Sequence, residues 1–281
     1  MPGPSIDPTE RAHLRDPRGY TPPIVRYLPD SRVAGHVRRF WIPVWSLPPG
    51  EATVQRVLQY PVCLLVVSSD YARMVGPTTG LGRTELRGEG WAVGVMLQPA
   101  TGSMLYDGPV GDLTDTFVEL DRLSTLDGAG LARDVHDAMA ADPLDEEGQR
   151  AAVLLLEDAL ARLPAPDEEG RLLNRIVEEV EGDPELRRVG QLCERFHLTE
   201  RSLQRLTARR LGLSPKWLIQ RRRLHEAAGL LRERASAYDL AAAAADLGYA
   251  DQAHFTRDFR TVVGVTPGQF LAESDAPLTG G

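Results

Sequence analysis

The segment Leu211-Gly212-Leu213-Ser214-Pro215 returns 52 positions later as Val263-Gly264-Val265-Thr266-Pro267. An echo at a fixed offset means one supersecondary unit used twice, and it constrains the fold more than any other feature of the chain. The stretches upstream match as well. RSLQRLTARRLG at 201–212 aligns without gaps on AHFTRDFRTVVG at 253–264, setting Leu203 on Phe255, Arg205 on Arg257 and Gly212 on Gly264. Each copy follows a short helix-like run and a tight turn, FHLT at 196–199 and GYAD at 248–251. Two short helices joined by a tight turn, the second rich in Arg, Gln and Thr, predict a helix-turn-helix that reads DNA.

Charge follows the same division. The 281 residues carry a net charge of −8, but 183–272 hold 15 basic and 10 acidic residues, and the remainder 17 and 30. Within 199–223, eight basic residues face Glu200 alone. A local basic stripe on an acidic protein reads as an electrostatic footprint for double-stranded DNA, and the acidic remainder discourages non-specific binding. A merely solvated helix face would intersperse Glu with Arg. Lys216 is the one lysine among the 32 basic residues.

Along the chain, 1–23 read as a flexible arm rich in Pro and Gly. Residues 24–163 form an N-terminal sensor or dimerisation domain, with β patterning to about 120 and helical periodicity at 128–141 and 149–163. LPAPDEEG supplies a linker, placed at 164–170. Helices are expected near 171–181, 188–196, 200–211, 215–233, 238–247, 252–263 and 268–272, within a unit spanning 171–272, and 273–281 form a tail. Ser214 and Thr266 are N-caps followed by Pro at the first helical position. Thr199 and Asp251 can cap the two recognition helices, and Gly212, Gly248 and Gly264 mark helix ends that need a left-handed residue. The predicted class is α+β multidomain: a small cupin-like β-sandwich or barrel with helices, then an all-α double helix-turn-helix.

The stretches LTERSLQRLTARRLGLSPKWLIQRRRLHEAAGLL at 198–231 and LAAAAADLGYADQAHFTRDFRTVVGVTPGQF at 240–270 resemble the DNA-binding domain of the AraC/XylS family of bacterial transcription regulators. The resemblance implies two helix-turn-helix units joined by a long central helix at about 215–233, with recognition helices in adjacent major-groove segments. By position, Arg201, Gln204 and Arg205 in the first helix and Gln252, His254 and Arg257 in the second are the base-reading candidates. Arg can grip guanine O6/N7 bidentately, and Gln adenine N6/N7. Arg209, Arg210, Lys216 and Arg221 to Arg223 are assigned to phosphates or to capping acidic surface. Leu203, Leu206, Phe255 and Phe259, on the opposite face, are read as core. The chain departs from the family in two places. His197 stands where Gly is usual, implying a left-handed residue under some strain. Ala241 to Ala245 stand where bulkier aliphatics are frequent, implying looser packing of the second unit.

GVMLQPATGSMLYDGPVGDLTDTFVELD at 94–121 resembles sensor domains carried by actinobacterial members, with Ala100 where Gly is common. Only His13, His36 and His136 precede residue 140, with no paired spacing, so no metal or cofactor is expected. No catalytic constellation occurs, which makes the chain a non-enzyme. Trp41, Trp45, Tyr60, Trp91 and Met96 could line an apolar pocket, and each is read as core in preference. Val153, Leu156, Leu160 and Leu163 could form a coiled-coil seam or pack on their own domain, the latter being preferred. Cys63 and Cys193 read as buried reduced thiols. The expected partners are DNA, a small-molecule effector, RNA polymerase if the chain activates, and a second copy in a homodimer. No membrane span or signal peptide is read, which places the chain in the cytoplasm on the nucleoid. The alternative is an N-terminal domain that binds a protein partner instead of a ligand.

Overall fold

The computed structural model describes residues 13–14, 20–58, 60–233, 240–249 and 251–275. The start of the arm (1–12), the first two residues of the expected helix 238–247 and the end of the tail (276–281) lie outside them.

The N-terminal part is an antiparallel two-sheet structure. Its strands are β1 (His13–Leu14), β2 (Ile24–Tyr27), β3 (Val37–Ser46), β4 (Ala52–Leu58), β5 (Leu64–Ser68), β6 (Ala72–Val75), β7 (Leu81–Arg87), β8 (Glu89–Leu97) and β9 (Phe117–Glu119). The small sheet runs β1-β4-β7 and the large one β2-β3-β8-β5-β6-β9. The stretch expected as a flexible arm is therefore tied at one point, where His13 pairs with Val57 and Leu14 with Arg56. Strict alternation gives the large sheet two apolar faces. Phe40, Ile42, Val93 and Val95 point one way into a buried core, closed by the helices α2 (Gly128–Met139) and α3 (Glu146–Leu160). A short α1 (Gly102–Leu105) and a 3-10 turn at Val110–Leu113 lead into β9. Val153, Leu156 and Leu160 of α3 belong to this same core, and Leu163 packs against it. The 3-4-3 spacing is thus used inside the domain, and it leaves no seam for a second chain.

After residue 160 the chain is helical: α4 (Glu168–Gly182), α5 (Val189–Phe196), α6 (Glu200–Leu211), α7 (Pro215–Glu233), α8 (Leu240–Asp246), α9 (Gln252–Val263) and α10 (Pro267–Asp275). The expected linker is shorter than its sequence implied. Asp167 caps α4 by accepting from Gly170 N, so Glu168 and Glu169 form the helix's first turn, where acids suit the dipole. Two cores organise this half. Leu173, Ile176, Leu192, Leu203 and Leu206 surround the first unit, and Leu224, Phe255, Phe259, Val263 and Phe270 the second.

The N-terminal domain reaches into both. Ala100 is fully buried in the first core, and its N–H donates to Asn174 Oδ1 at 2.9 Å. Leu58 is buried in the second core, with Val57, Tyr60 and Leu81 packed against it. Among the described residues no helix is long and apolar enough to cross a membrane.

Candidate nucleic-acid interface

The repeat seen in the sequence is a repeat of caps. Thr199 Oγ1 accepts from Ser202 N at 3.1 Å, and Asp251 Oδ1 accepts from His254 N at 2.7 Å. Each starts a recognition helix of 12 residues, α6 and α9. Both end on a left-handed glycine, Gly212 at φ 74 and Gly264 at φ 82. Ser214 and Thr266 then cap the next helices by accepting from Trp217 N and Gln269 N. Upstream, the register differs from the sequence alignment. His197 at φ 53 corresponds to Gly248 at φ 71, and Leu198 N→Cys193 O (2.9 Å) to Tyr249 N→Ala244 O (2.8 Å). The second turn is therefore one residue longer than the first.

Each recognition helix is split by face. Leu203 and Leu206, and Phe255 and Phe259, are buried as expected. On the opposite faces Arg201, Gln204 and Arg205 are exposed in α6, and Gln252, His254 and Arg257 in α9. Arg205 and Arg257 occupy equivalent places in the two units, seven positions from the start of each aligned cap counting the cap itself. Gln204 Nε2 donates to Glu200 Oε1 at 3.1 Å, which fixes its amide along the helix. His254 Nε2 lies 3.4 Å from Asp258 Oδ2, with the ring edge-on to Tyr249. Arg260, one turn beyond Arg257 and also exposed, lies on the same face by its i,i+3 spacing.

The basic stripe at 199–223 is largely committed elsewhere. Arg209 pairs with Glu169, and Arg210 with both Asp167 and Glu169, across to the first turn of α4. Those acids hold the Arg210 guanidinium above its ordinary range although burial alone would lower it, and Gly170 N and Arg210 hold the Asp167 carboxyl below its own. Arg221 and Arg222 are buried at 3% and 7% exposure, so they are not available to phosphates. Arg221 stacks over Tyr60 at 4.4 Å and lies 3.6 Å from Glu181, and burial pushes its pKa down to about 10. Arg222 bonds Glu226 at 2.9 Å and Leu186 O at 3.1 Å, while Arg223 stacks on Tyr249 and donates to Leu247 O. Lys216 is exposed. Of the eight, Arg201, Arg205 and Lys216 remain on the open face.

A second feature lies between the two sheets. A cavity of about 520 Å3 is lined by Trp41, Trp45, Tyr60 and Met96, together with Arg39 and Gln55 among others. Of the five residues read as core in the sequence, four therefore face the cavity. Trp45 is also buried, in a small core with Leu47, Leu86 and Ala92, and Trp91 lies in the main core, edge-on to His136, whose Nε2 lies 2.8 Å from Ser68 O. Alternation along β3 carried the signal: Arg39, Trp41, Pro43 and Trp45 share one face of the strand. Cys63 is buried and its thiol pushed up to about 12, which keeps it protonated, whereas Cys193 is only partly buried. Among the described residues no group of three or more His, Cys, Asp or Glu could hold a metal ion.

Residues 192–273 match a helix-turn-helix domain family, and residues 25–119 match a domain of unknown function, DUF6597. No curated protein matches the chain. Among solved structures, the chain is similar to a probable AraC family transcriptional regulator from Rhodopseudomonas palustris CGA009, at 25% identity over 38% of this chain and 99% of that one, with a TM-score of 0.35. It is also similar to ToxT from Vibrio cholerae O395, at 13% identity over 91% and 98%, with a TM-score of 0.38. Unsaturated fatty acid bound wild-type ToxT from Vibrio cholerae strain SCE256 is similar at 14% identity over 83% and 94%, with a TM-score of 0.37.

Proposed function

From a C-terminal region that is an AraC-type helix-turn-helix domain, and hence a DNA-binding transcription regulator, we propose a sequence-specific reader whose affinity is set by a small molecule held in the N-terminal domain. The two recognition helices read bases through Arg201, Gln204 and Arg205 and through Gln252, His254 and Arg257. Arg260 and Lys216 join them on the phosphates. The observation that carries the reading is the duplicated helix, capped at the equivalent position by a side-chain oxygen, with its apolar face buried and its Arg-bearing face open.

Sensing is supported by shared residues. Leu58, Tyr60 and Leu81 line the cavity and also pack on the core of the second unit. A molecule that moves this wall shifts the seat of α9, which is how a binding event far from DNA acquires a differential contact.

Selection of duplexes from a random pool by the full chain tests the DNA reading. A defined site should emerge, and Arg257→Ala should lose about 1–3 kcal/mol on it and much less on random DNA. A pool that stays random after selection overturns the reading, and equal losses on both DNAs would make Arg257 a phosphate contact.

A further inference from the structure

The cavity floor has an unusual construction. On β8, Gly90, Ala92, Gly94 and Met96 face the cavity side, and β3 pairs Trp41 with Gly94 and Trp45 with Gly90. A Cβ on Gly94 would lie 2.2 Å from Trp41 Cε2 and Cζ2, and one on Gly90 would lie 2.4 Å from Trp45 Cζ2. Both indoles are therefore laid across glycines instead of standing off the sheet. Side chains normally stand roughly perpendicular to a sheet. Here the missing β-carbons let two large π faces lie flat, and Ala92 keeps the strip between them low. Trp45 is held there by its Nε1, which donates to Arg87 O at 3.2 Å. The same rings could have filled the space; lying down, they leave it open.

The opposite wall carries a polar group without a partner. Gln55 of β4 is 5% exposed and lines the cavity. Its Nε2 donates to Tyr20 O and Thr53 Oγ1, both at 3.4 Å, whereas its Oε1 accepts no hydrogen bond among the described residues. A buried acceptor left unsatisfied costs free energy that a ligand donor would recover. A flat aromatic strip facing an unsatisfied acceptor favours a ligand with a matching flat face and a donor placed at Gln55, in a cavity whose lining also includes Arg26, Arg39 and Arg83.

Resting on the effector reading above, we propose that the cavity takes a flat aromatic compound bearing an O–H or N–H donor. Its ring stacks on Trp41 and Trp45, and its donor bonds Gln55 Oε1. Offset stacking adds to the apolar area that any ligand would bury there. The hydrogen bond discriminates modestly, because a ligand lacking the donor forgoes the bond and leaves Gln55 Oε1 unsatisfied.

Three probes of similar outline separate the elements: 2-naphthol, 2-methoxynaphthalene and decahydro-2-naphthol, titrated calorimetrically into the full chain. 2-Naphthol should bind about five-fold or more tightly than either of the others. Gln55→Leu should erase its advantage over the methoxy compound. Trp41→Leu should erase its advantage over the saturated alcohol, and the milder Trp41→Phe should retain part of it. Gly94→Ala, which drives a methyl into the Trp41 ring, should weaken both aromatic probes. Equal binding of the saturated alcohol overturns the aromatic assignment and leaves the effector reading standing. Binding of none of the three to folded protein overturns both.

Discussion

Gly212 carries two constraints at once. Its φ of 74 lies in the left-handed region, and a Cβ there would sit 2.7 Å from the Gly111 Cα. The obstacle is backbone, on the 3-10 turn Val110–Leu113 of the N-terminal domain, and cannot swing aside. Gly264 has the same handedness, but its Cβ would meet Leu81 Cδ2 at 2.7 Å, the end of a flexible side chain. Ala at either site costs about 1–2 kcal/mol for handedness alone. Gly212→Ala should therefore lower the denaturation midpoint clearly more than Gly264→Ala, and the reverse order would show that the N-terminal domain does not rest on Gly212. Asp167 makes a pH prediction. Gly170 N and Arg210 hold its carboxyl below the ordinary value, so its contribution to stability is fully present above the unfolded pKa of about 4. That contribution is lost as pH falls through the lower folded value. Asp167→Asn keeps the cap but removes the charge. Its stability deficit should be constant from neutral pH to about pH 5 and shrink below pH 4. A deficit independent of pH would mean the Arg210 pair contributes nothing.

At the scale of elements, the two units share caps but differ in support. α6 is braced from the side by α4, whose first-turn acids hold Arg209 and Arg210. The alanine run forms α8, in which Ala244 is buried against the second core, so short side chains do pack there. The second unit draws further support from the aromatic series Tyr249, Phe255, Phe259 and Phe270, packed in tilted and edge-to-face pairs at centroid spacings of 5.4, 5.5 and 5.6 Å. With most of the basic stripe engaged in ion pairs or buried, the first unit has little advantage over the second in open basic residues. The division among arginines is measurable. Each phosphate contact contributes about −0.9 to the slope of log affinity against log salt. Arg260→Ala should reduce that slope by about 1 without changing the melting point, while Arg221→Ala should leave the slope and lower the melting point. If Arg221→Ala also reduced the slope in folded protein, the buried arginine would have to reach DNA.

For the molecule as a whole, the linker is misleading. Residues 161–167 separate the two halves in sequence, yet Ala100 completes one helical core, Leu58 completes the other and Gly111 packs on Gly212. Arg38 adds an ion pair to Glu181 at 2.9 Å, beside the buried Arg221. Domains joined only by a tether unfold separately, whereas shared cores couple them. Calorimetry should show one transition for the full chain. Leu58→Ala, which removes a fully buried side chain at a cost of about 2–5 kcal/mol, should split it into two. Two transitions in the unmodified protein would mean that these contacts are too weak to transmit a signal from the cavity.

Local chemistry was legible without coordinates. The 52-residue echo, the caps Thr199, Asp251, Ser214 and Thr266, and the left-handed Gly212 and Gly264 all follow from rules acting within a few residues. The buried faces of α6 and α9 were equally plain, because helical periodicity is itself a local signal. What depended on tertiary structure was every question about which face meets which neighbour. Arg209 and Arg221 are both arginines in a basic stretch, and only the acids of α4 and the ring of Tyr60, distant in sequence, separate them from Arg205. Trp41 and Trp91 are both strand tryptophans. One lies flat over Gly94 in the cavity and the other is sealed into the core, because a pairing register is fixed between strands and not within them.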